Sequence, residues 1–417
     1  MRIGFFVWEY PPVLFGGLGT YAQYITREFV ELGHDVSVFT LNSGDLKTKE
    51  IVKGVDVHRP MIANASNVFP LFVTEDLRRW GTYIKYFSDL FTYNILSASK
   101  FVNELVKKEG IHYDVVCVHD WLSSIAGMII KNELKEMPVI FHVHSTERGR
   151  SMGGGSRVIT HFEDTTAQVA DCILTVSCAM KEDLARHGWN EKKIHVVWNG
   201  VDPEEYDPAK VDKEKAQKLR ENYGINKDEQ MILSLGRLTW VKGVRNLVQA
   251  LPLITKEFPK VKLVILGKGE EQKDIIELVD RLRMKDKVIC RFEFVPEEER
   301  VLHYAAADLC VFPSTYEPFG IVSLEAMAME KPIVVGAKGL VGFREQVIPS
   351  GPEQTGLHVD GEKPEDIAWG IKEILKDPAN AKRLGENGRK RVLKYFTWRA
   401  AAEQTIKIYK NCQSKRG

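Results

Sequence analysis

The sequence lacks the features that mark secreted, membrane-spanning or metal-clustered proteins. Its 417 residues include only six cysteines, and no two of them have Cys-x-x-Cys spacing. Most of the cysteines lie in apolar, strand-like runs, which predicts small buried residues in a reducing compartment. No run of about 18 apolar residues occurs, so no membrane span is expected and the cytoplasm is the default location.

An excess of one charge is also missing. The chain has 58 Lys and Arg residues against 57 Asp and Glu residues, for a net charge of +1. This balance gives no electrostatic reason to expect nucleic acid or an anionic membrane as a partner. The composition is that of an ordinary globular protein, and the length exceeds what one core usually serves, so two domains are expected. Nothing in the sequence indicates the oligomeric state.

Short apolar runs alternate with helical patterns in two series along the chain. The predicted strands are 3–8, 36–40, 115–118, 139–143, 173–176 and 195–198, then 231–235, 262–266, 288–295, 309–312 and 332–336. A charged segment with two Asp-Pro pairs joins the two series near residue 205. Alternation of this kind predicts an α/β fold with two parallel sheets. A ligand is expected in the cleft between the halves.

A glycine run opens the first predicted helix. Gly17-x-Gly19-x-x-Ala22 fits the relaxed dinucleotide fingerprint, but eight residues separate the glycines from the preceding strand. The next strand, 36–40, also ends without the acidic residue expected on a ribose. NAD binding and a purely structural turn stay open as alternatives. We favour backbone N–H groups of the run that face a ligand phosphate.

Polar residues follow two further strands, where ligands of open parallel sheets are bound. His119-Asp120 follows one strand, and His144 follows the other, with His142 on the same face. A metal site from these four residues is conceivable, but no tight motif such as His-Glu-x-x-His occurs, so no metal is expected. The glycine- and arginine-rich segment 145–157 is predicted as a mobile loop over the site, with a plain surface loop as the alternative.

In the second half of the chain, cationic and acidic residues also follow predicted strands. Arg237 and Lys242 lie between a strand and the next helix, where they are well placed for phosphates. Near the end of the chain, the stretch PSTYEPFGIVSLE follows an apolar strand and opens a helix at Gly320. Glu317 precedes that helix end, and Glu325 lies two turns inside the helix. A helix end attracts anions, while acids bind hydroxyls, so a sugar nucleotide suits both.

Together these motifs resemble the retaining nucleotide-sugar glycosyltransferases of the GT-B fold, the family-4-like group that includes glycogen, sucrose and sucrose-phosphate synthases. The motifs that carry this resemblance also include Asn199-Gly200-Val201-Asp202, and they span nearly the whole chain in the expected order. The resemblance implies two Rossmann-like, doubly wound domains facing across a cleft. The domains are an acceptor-side domain at 1–205, a donor-binding domain at 206–395 and a C-terminal helix at 396–417 that crosses back.

The resemblance also implies roles for the candidate residues. Arg237 and Lys242 would hold the diphosphate, and His144 would contact the transferred sugar or support charge at its anomeric carbon. Glu317 would bind the hydroxyls of that sugar. The remaining donor contacts would come from the backbone of Gly17 and the N–H groups at Gly320, Ile321 and Val322, with Glu325 on the ribose and Asp120 on the acceptor side. No metal or other cofactor is required, because cations and a helix end neutralise the leaving diphosphate.

The expected activity is therefore transfer of a hexosyl, favoured as glucosyl, group from a nucleoside-diphosphate sugar to a carbohydrate such as an α-glucan. A small sugar or sugar-phosphate acceptor is the alternative, followed by a non-transferring epimerase and a binding protein. Phe15 stands where bacterial glycogen and starch synthases carry a lysine, which departs from their subfamily.

Overall fold

The structure, a computed structural model, describes residues 1–14, 16–68 and 84–414. Phe15, which departs from the glycogen and starch synthase pattern, lies outside the described residues. The described chain contains two sheets whose strands alternate with helices. The predicted α/β class with two Rossmann-like, doubly wound domains is confirmed.

Two compact units divide the chain. The first comprises residues 1–176, 181–197 and 401–417, and the second comprises 177–180 and 198–400. The final helix, Trp398–Ser414, therefore begins in the second unit and continues in the first. The domain limits 1–205, 206–395 and 396–417 stay a prediction.

The first unit is built on an eight-stranded sheet in the order β3-β4-β2-β1-β5-β6-β7-β8, parallel except for the antiparallel pair β3 and β4. Its strands are β1 (Arg2–Phe6), β2 (Asp35–Phe39), β3 (Lys49–Val52), β4 (Val55–His58), β5 (Val115–His119), β6 (Val139–Val143), β7 (Cys172–Thr175) and β8 (Ile194–Val196). Every residue of β5 and β6 is buried, because helices cover both faces of a parallel sheet. Such burial explains why these strands are continuous apolar runs.

The second unit contains a six-stranded parallel sheet in the order β11-β10-β9-β12-β13-β14. Its strands are β9 (Gln230–Leu235), β10 (Val261–Leu266), β11 (Val288–Arg291), β12 (Leu309–Phe312), β13 (Ile333–Gly336) and β14 (Gly356–Val359). The strand order reverses between β9 and β12, which pair directly. In doubly wound sheets this reversal opens a crevice at the carboxyl ends of the strands, where ligands bind.

The helices pack apolar faces onto the two sheets. The main ones are Gly17–Glu31, Ile84–Ser99 continued by the π-helix Lys100–Lys108, Ser124–Glu133, Arg157–Val169, Cys178–Arg186, Lys213–Asn222, Val244–Thr255, Gln272–Arg281, Glu297–Ala306, Ile321–Ala328, Pro364–Lys376, Pro378–Tyr395 and Trp398–Ser414. In the part of the chain that the structure describes, none of the helices combines the length and apolarity needed to cross a membrane.

Two local predictions need correction, and the strands β3, β4 and β14 were not predicted. The segment 145–157 is not a continuous loop, because Glu147–Arg150 is helical and Ser156 caps the next helix through its side chain. The strand predicted at 288–295 ends at Arg291. The pair β3 and β4 was missed because β3 is an edge strand with charged, exposed residues, a pattern typical of loops.

The prediction of cysteines that act as small buried residues in a reducing compartment is wrong for one pair. Cys172 at the start of β7 forms a disulfide with Cys412 in the final helix, 240 residues later. The same helix places Tyr409 in the interior of the first unit, where its hydroxyl lies 2.7 Å from Nε2 of His142. The disulfide therefore fastens the end of the chain to the first sheet.

Candidate functional site

The carboxyl ends of β9 and β12 border a small cavity, partly open to solvent, in the second unit. Three of the predicted site side chains, Arg237, Lys242 and Glu317, line it, as does Val322 at the start of a helix. Ser314, which the sequence analysis did not single out, lines it as well. The cavity lies at the reversal of strand order, the place where doubly wound sheets bind ligands.

Lys242 is positioned by a close approach of two loops. It ends a single 3₁₀ turn and is followed by Gly243, whose φ of 68° is left-handed. A Cβ atom at Gly243 would lie 2.2 Å from the carbonyl oxygen of Pro313, so only glycine fits there. The backbone N–H of Thr315 also donates to the carbonyl of Val241, at 2.8 Å. These two contacts hold the loop after β9, which carries Lys242 and Gly243, against the loop after β12.

Lys242 and Glu317 form an ion pair inside the cavity. The Glu317 side chain is only 10% exposed, and Lys242 is its ion-pair partner. The Glu317 backbone is fixed as well, because its N–H donates to Leu340 and its carbonyl accepts from Gly342 at 2.7 Å. The carboxylate is therefore held in one place by main-chain contacts on both sides.

Arg237 differs from Lys242 in its surroundings. It is exposed, and within the described ranges no carboxylate lies at ion-pair distance from it. An arginine at the rim of a cavity, with its charge uncommitted, is suited to bidentate binding of a phosphate. The charge of Lys242 is balanced by Glu317, so the uncompensated positive charge at the cavity is that of Arg237.

The helix Ile321–Ala328 supplies N–H groups next to the same cavity. Its N-cap is Gly320, with φ of 89°, and no side chain caps the helix end. A Cβ atom at Gly320 would lie 2.1 Å from the Phe343 ring, which explains the glycine. The N–H groups of Ile321 and Val322 belong to the first turn, where no intrahelical acceptor exists. They add partial positive charge to the two cations.

Glu325 lies apart from this group. It is 4% exposed and does not line the cavity. Its two oxygens accept hydrogen bonds from the hydroxyls of Tyr206 at 2.9 Å and Tyr304 at 2.8 Å. Arg300 lies 3.6 Å from one of them. The tyrosines sit in the linker and in a helix face, where they resemble ordinary packing residues, so the sequence did not identify them. The ribose contact of Glu325 stays a prediction.

In the first unit, Asp120 holds the turn that carries His144. Asp120 follows β5, and its Oδ1 accepts the backbone N–H of His144 at 2.7 Å and that of Ser145 at 3.3 Å. Its φ of 51° with ψ of −175° is a conformation that residues with a side chain seldom adopt. Strain of this kind is kept where the surrounding contacts require it, and here the contacts orient His144. The acceptor-side role of Asp120 stays a prediction.

His144 packs against Tyr21, with ring centroids 4.4 Å apart. Burial lowers the pKa of the imidazole, an effect that the Asp120 carboxylate opposes. A neutral imidazole can accept or donate a hydrogen bond to a sugar hydroxyl. Gly17, by contrast, is exposed at the first turn of its helix, and a Cβ atom there would meet nothing within 4 Å. Its backbone N–H can be reached by an anion, but there is also space for a side chain at this position, so packing does not require a glycine.

The segment after His144 is anchored to the helix Arg157–Val169. Arg148 forms a two-point contact with Asp164, at 3.2 and 2.8 Å. Oε1 of the buried Glu163 accepts the backbone N–H of Glu147 at 2.8 Å. Burial raises the pKa of Glu163 to about 8, although the Glu147 N–H acts in the opposite direction. The sequence offered no signal for Glu163, since an acid in a helix usually faces solvent.

Glu163 should make stability depend on pH in an unusual direction. The pKa of Glu163 in the folded protein is about 8, against 4.5 for an ordinary glutamate, so the folded protein binds an extra proton between these two pH values. Stability should therefore fall as the pH rises from about 4.5 to about 8. Glu163→Gln keeps the acceptor oxygen and should flatten this decline in urea midpoints taken at pH 5, 6, 7 and 8. The exposed Glu277→Gln is the control, and an unchanged slope in Glu163→Gln would contradict the assignment.

Comparisons with known proteins identify the family of the chain. Residues 15–205 match the family model "Glycosyltransferase Family 4", and residues 215–391 match "Glycosyl transferases group 1". An uncharacterised glycosyltransferase of Methanocaldococcus jannaschii is 33% identical over 98% of both chains. A glycogen synthase of Mycobacterium tuberculosis is 30% identical over all of this chain and 96% of its own.

A solved structure shows the same fold over its whole length. Sucrose-phosphate synthase from Thermosynechococcus elongatus aligns with a TM-score of 0.79 at 24% sequence identity, covering 99% of each chain. Both halves of the chain match a glycosyltransferase model, and the full-length relatives are glycosyltransferases. The chain therefore belongs to the glycosyltransferases of the GT-B fold, in the family-4-like group with glycogen synthase and sucrose-phosphate synthase.

Proposed function

We propose that the protein transfers a glucosyl group, with retention of anomeric configuration, from a nucleoside-diphosphate glucose to an α-glucan. The observation that carries this proposal is the cavity at the strand-order reversal of the second unit. Arg237, Lys242 and Glu317 line it together, and an uncapped helix end opens beside it. The cations can bind a diphosphate, and the carboxylate can accept hydrogen bonds from sugar hydroxyls. The cavity therefore suits the part of a nucleotide sugar where the diphosphate is joined to the sugar.

Departure of the nucleotide is the step that these groups serve. As the bond from the anomeric carbon to the diphosphate oxygen breaks, negative charge grows on the diphosphate. Arg237, Lys242 and the N–H groups of Ile321 and Val322 stabilise that charge from fixed positions. Two cations and a helix end supply the role that a metal ion has in other transferases, so the proposed reaction is metal-independent.

Retention follows from attack on the face that the nucleotide leaves. The acceptor hydroxyl forms the new bond to the anomeric carbon, and its proton passes to the leaving phosphate. No carboxylate nucleophile is then required, unlike in retaining glycosidases. Glu317 orients the sugar through its hydroxyls. In the first unit, His144 is proposed as a hydrogen-bonding group for a sugar hydroxyl, and the Gly17 N–H as a donor to a phosphate oxygen.

Thermal unfolding with a panel of nucleotide sugars tests the donor. Among UDP-, ADP- and GDP-glucose, one should raise the midpoint by a few degrees, because a ligand at 100 times its Kd stabilises by about 2.7 kcal/mol. Arg237→Ala should lose most of this shift while the apo midpoint stays unchanged, since the exposed Arg237 has no ion-pair partner among described residues. Lys273→Ala, at an exposed lysine, should keep the full shift. A panel without any shift would contradict the proposal.

Transfer itself is measured as nucleotide release with and without acceptors. Glycogen or a malto-oligosaccharide should stimulate release, and NMR of the product should show the same anomeric configuration as the donor. Stimulation by a sugar phosphate alone would instead support the small-acceptor alternative. Binding with no release for any acceptor would indicate a binding protein, and conversion of the donor sugar without transfer would indicate an epimerase.

A further inference from the structure

Three side chains with metal-binding atoms meet on one face of the first sheet. Cys117 and His119 alternate along β5, so both point to the same side. His142 in β6 is the direct register partner of His119. One ligand atom from each lies within 4.8 Å of the other two, and all three residues are buried, with exposures of 0, 0 and 3%. This cluster is separate from the cavity in the second unit.

His119 has a defined tautomer with an unused nitrogen. Its Nδ1 lies 2.8 Å from the carbonyl oxygen of Phe6, and a carbonyl can only accept, so Nδ1 carries the proton. The lone pair is therefore on Nε2, which is buried and has no hydrogen-bond partner. An unsatisfied buried acceptor is costly. A histidine whose far nitrogen donates to a carbonyl is also the arrangement found in metal-ligating histidines.

The other two ligands have partners that can rearrange. His142 lies between the hydroxyls of Tyr21 at 3.2 Å and Tyr409 at 2.7 Å. The Cys117 thiol lies 3.5 Å from the carbonyl oxygen of Gly4 and also interacts with the Tyr409 hydroxyl. A tyrosine hydroxyl can turn to another acceptor, so either ring nitrogen of His142 can become a ligand. A buried water on Nε2 of His119 is the competing occupant.

We propose that Cys117, His119 and His142 form a binding site for one soft monovalent cation, with Cu(I) as the best match. Thiolate and imidazole ligands favour Cu(I) and Zn(II). The thiol proton leaves to solvent on binding, so one thiolate and one Cu(I) leave the buried site neutral. Zn(II) would leave a net positive charge in an apolar interior and normally requires a fourth ligand. The three-residue cluster found among the described residues supplies none.

The ion would connect β5 to β6 close to Asp120 and His144, the candidate site residues of the first unit. Asp120 follows His119 at once, and His144 lies two residues after His142. A bound ion should thus stabilise the first unit and restrict the His144 turn. This inference does not rest on the proposed transfer reaction, because its measurement is metal binding rather than turnover.

The test is an anaerobic titration of the full-length protein with Cu(I) against the chromophoric competitor bicinchoninate. The disulfide-intact Cys178→Ser protein is used, because Cys178 is exposed and offers a thiol of its own. It should retain one Cu(I) per chain, with one sulfur and two nitrogen ligands by X-ray absorption. Cys117→Ser and His119→Gln in that background should each lose this ion. Cys290→Ser, at a half-buried thiol elsewhere, should keep it.

Each other result overturns the proposal. Retention of no Cu(I) would indicate a hydrogen-bonded core or a buried water at His119. A stoichiometry unchanged by Cys117→Ser and His119→Gln would place the copper elsewhere. Zn(II) bound more tightly than Cu(I) would refute the charge-neutral argument. Because the absorption spectrum is recorded on protein with all three ligands intact, the proposal remains testable if the ligand variants fail to fold.

Discussion

Lys242→Ala is expected to lower kcat of the transfer reaction by about 10²–10³, the usual loss when one fixed donor to a developing charge is removed. Lys242 lines the cavity of the second unit and is held by the contact of Gly243 with Pro313. Its charge would oppose the charge that grows on the leaving diphosphate. The measurement is steady-state nucleotide release with the donor chosen by the thermal panel. Lys273→Ala, at an exposed lysine, is the matched control.

Stability must be separated from catalysis in this experiment. Removing Lys242 leaves the Glu317 carboxylate buried and unpaired, and breaking a buried pair in this way costs about 3–5 kcal/mol. The double variant Lys242→Met with Glu317→Gln removes both charges and should regain most of that stability in urea unfolding. It should remain inactive. Turnover within threefold of wild type in either variant would remove Lys242 from the catalytic group.

Asp120→Ala is expected to destabilise the protein by about 2–4 kcal/mol, because it removes the acceptor of two backbone N–H groups. It should also lower kcat, since the turn that orients His144 loses its anchor. Asp120→Asn keeps an oxygen at the same place and should retain most of the stability. Urea unfolding and steady-state kinetics on both variants provide the measurements.

A positioning role predicts a particular kind of non-additivity. If Asp120 acts through His144, the double variant Asp120→Ala with His144→Ala should have the same kcat as His144→Ala alone. If Asp120 instead binds the acceptor, its substitution should raise the acceptor KM, and Asp120→Asn should do so as strongly as Asp120→Ala. The second pattern would exclude the view of Asp120 as a residue that only orients the histidine.

The fold was predictable because its strands are buried on both faces. Short, mostly apolar runs such as β6 and β12 favour central parallel strands, and both were placed correctly. Polar residues at their carboxyl ends then indicated the site. The edge strand β3 gave no such signal, because none of its residues is buried and its two exposed residues are Lys49 and Ile51.

Pairings between distant residues were not predictable. Lys242 and Glu317 are 75 positions apart, and each was assigned a ligand rather than the other. Cys172 and Cys412 both lie in patterns typical of packed elements, and their bond depends on where the last helix returns. Glu163 has the sequence context of a solvated helix acid, while its burial comes from the packing of the segment that carries Glu147.

The return of the last helix has a consequence for synthesis. The first unit lacks residues 401–414 until nearly the whole chain has been made, although its sheet is complete after residue 196. Until then, the apolar surface that Tyr409 covers next to Phe29 stays open while the ribosome adds about 200 further residues. At typical elongation rates this interval is roughly 10–40 s. Nascent chains stalled before residue 400 should therefore be bound by chaperones more strongly than full-length chains.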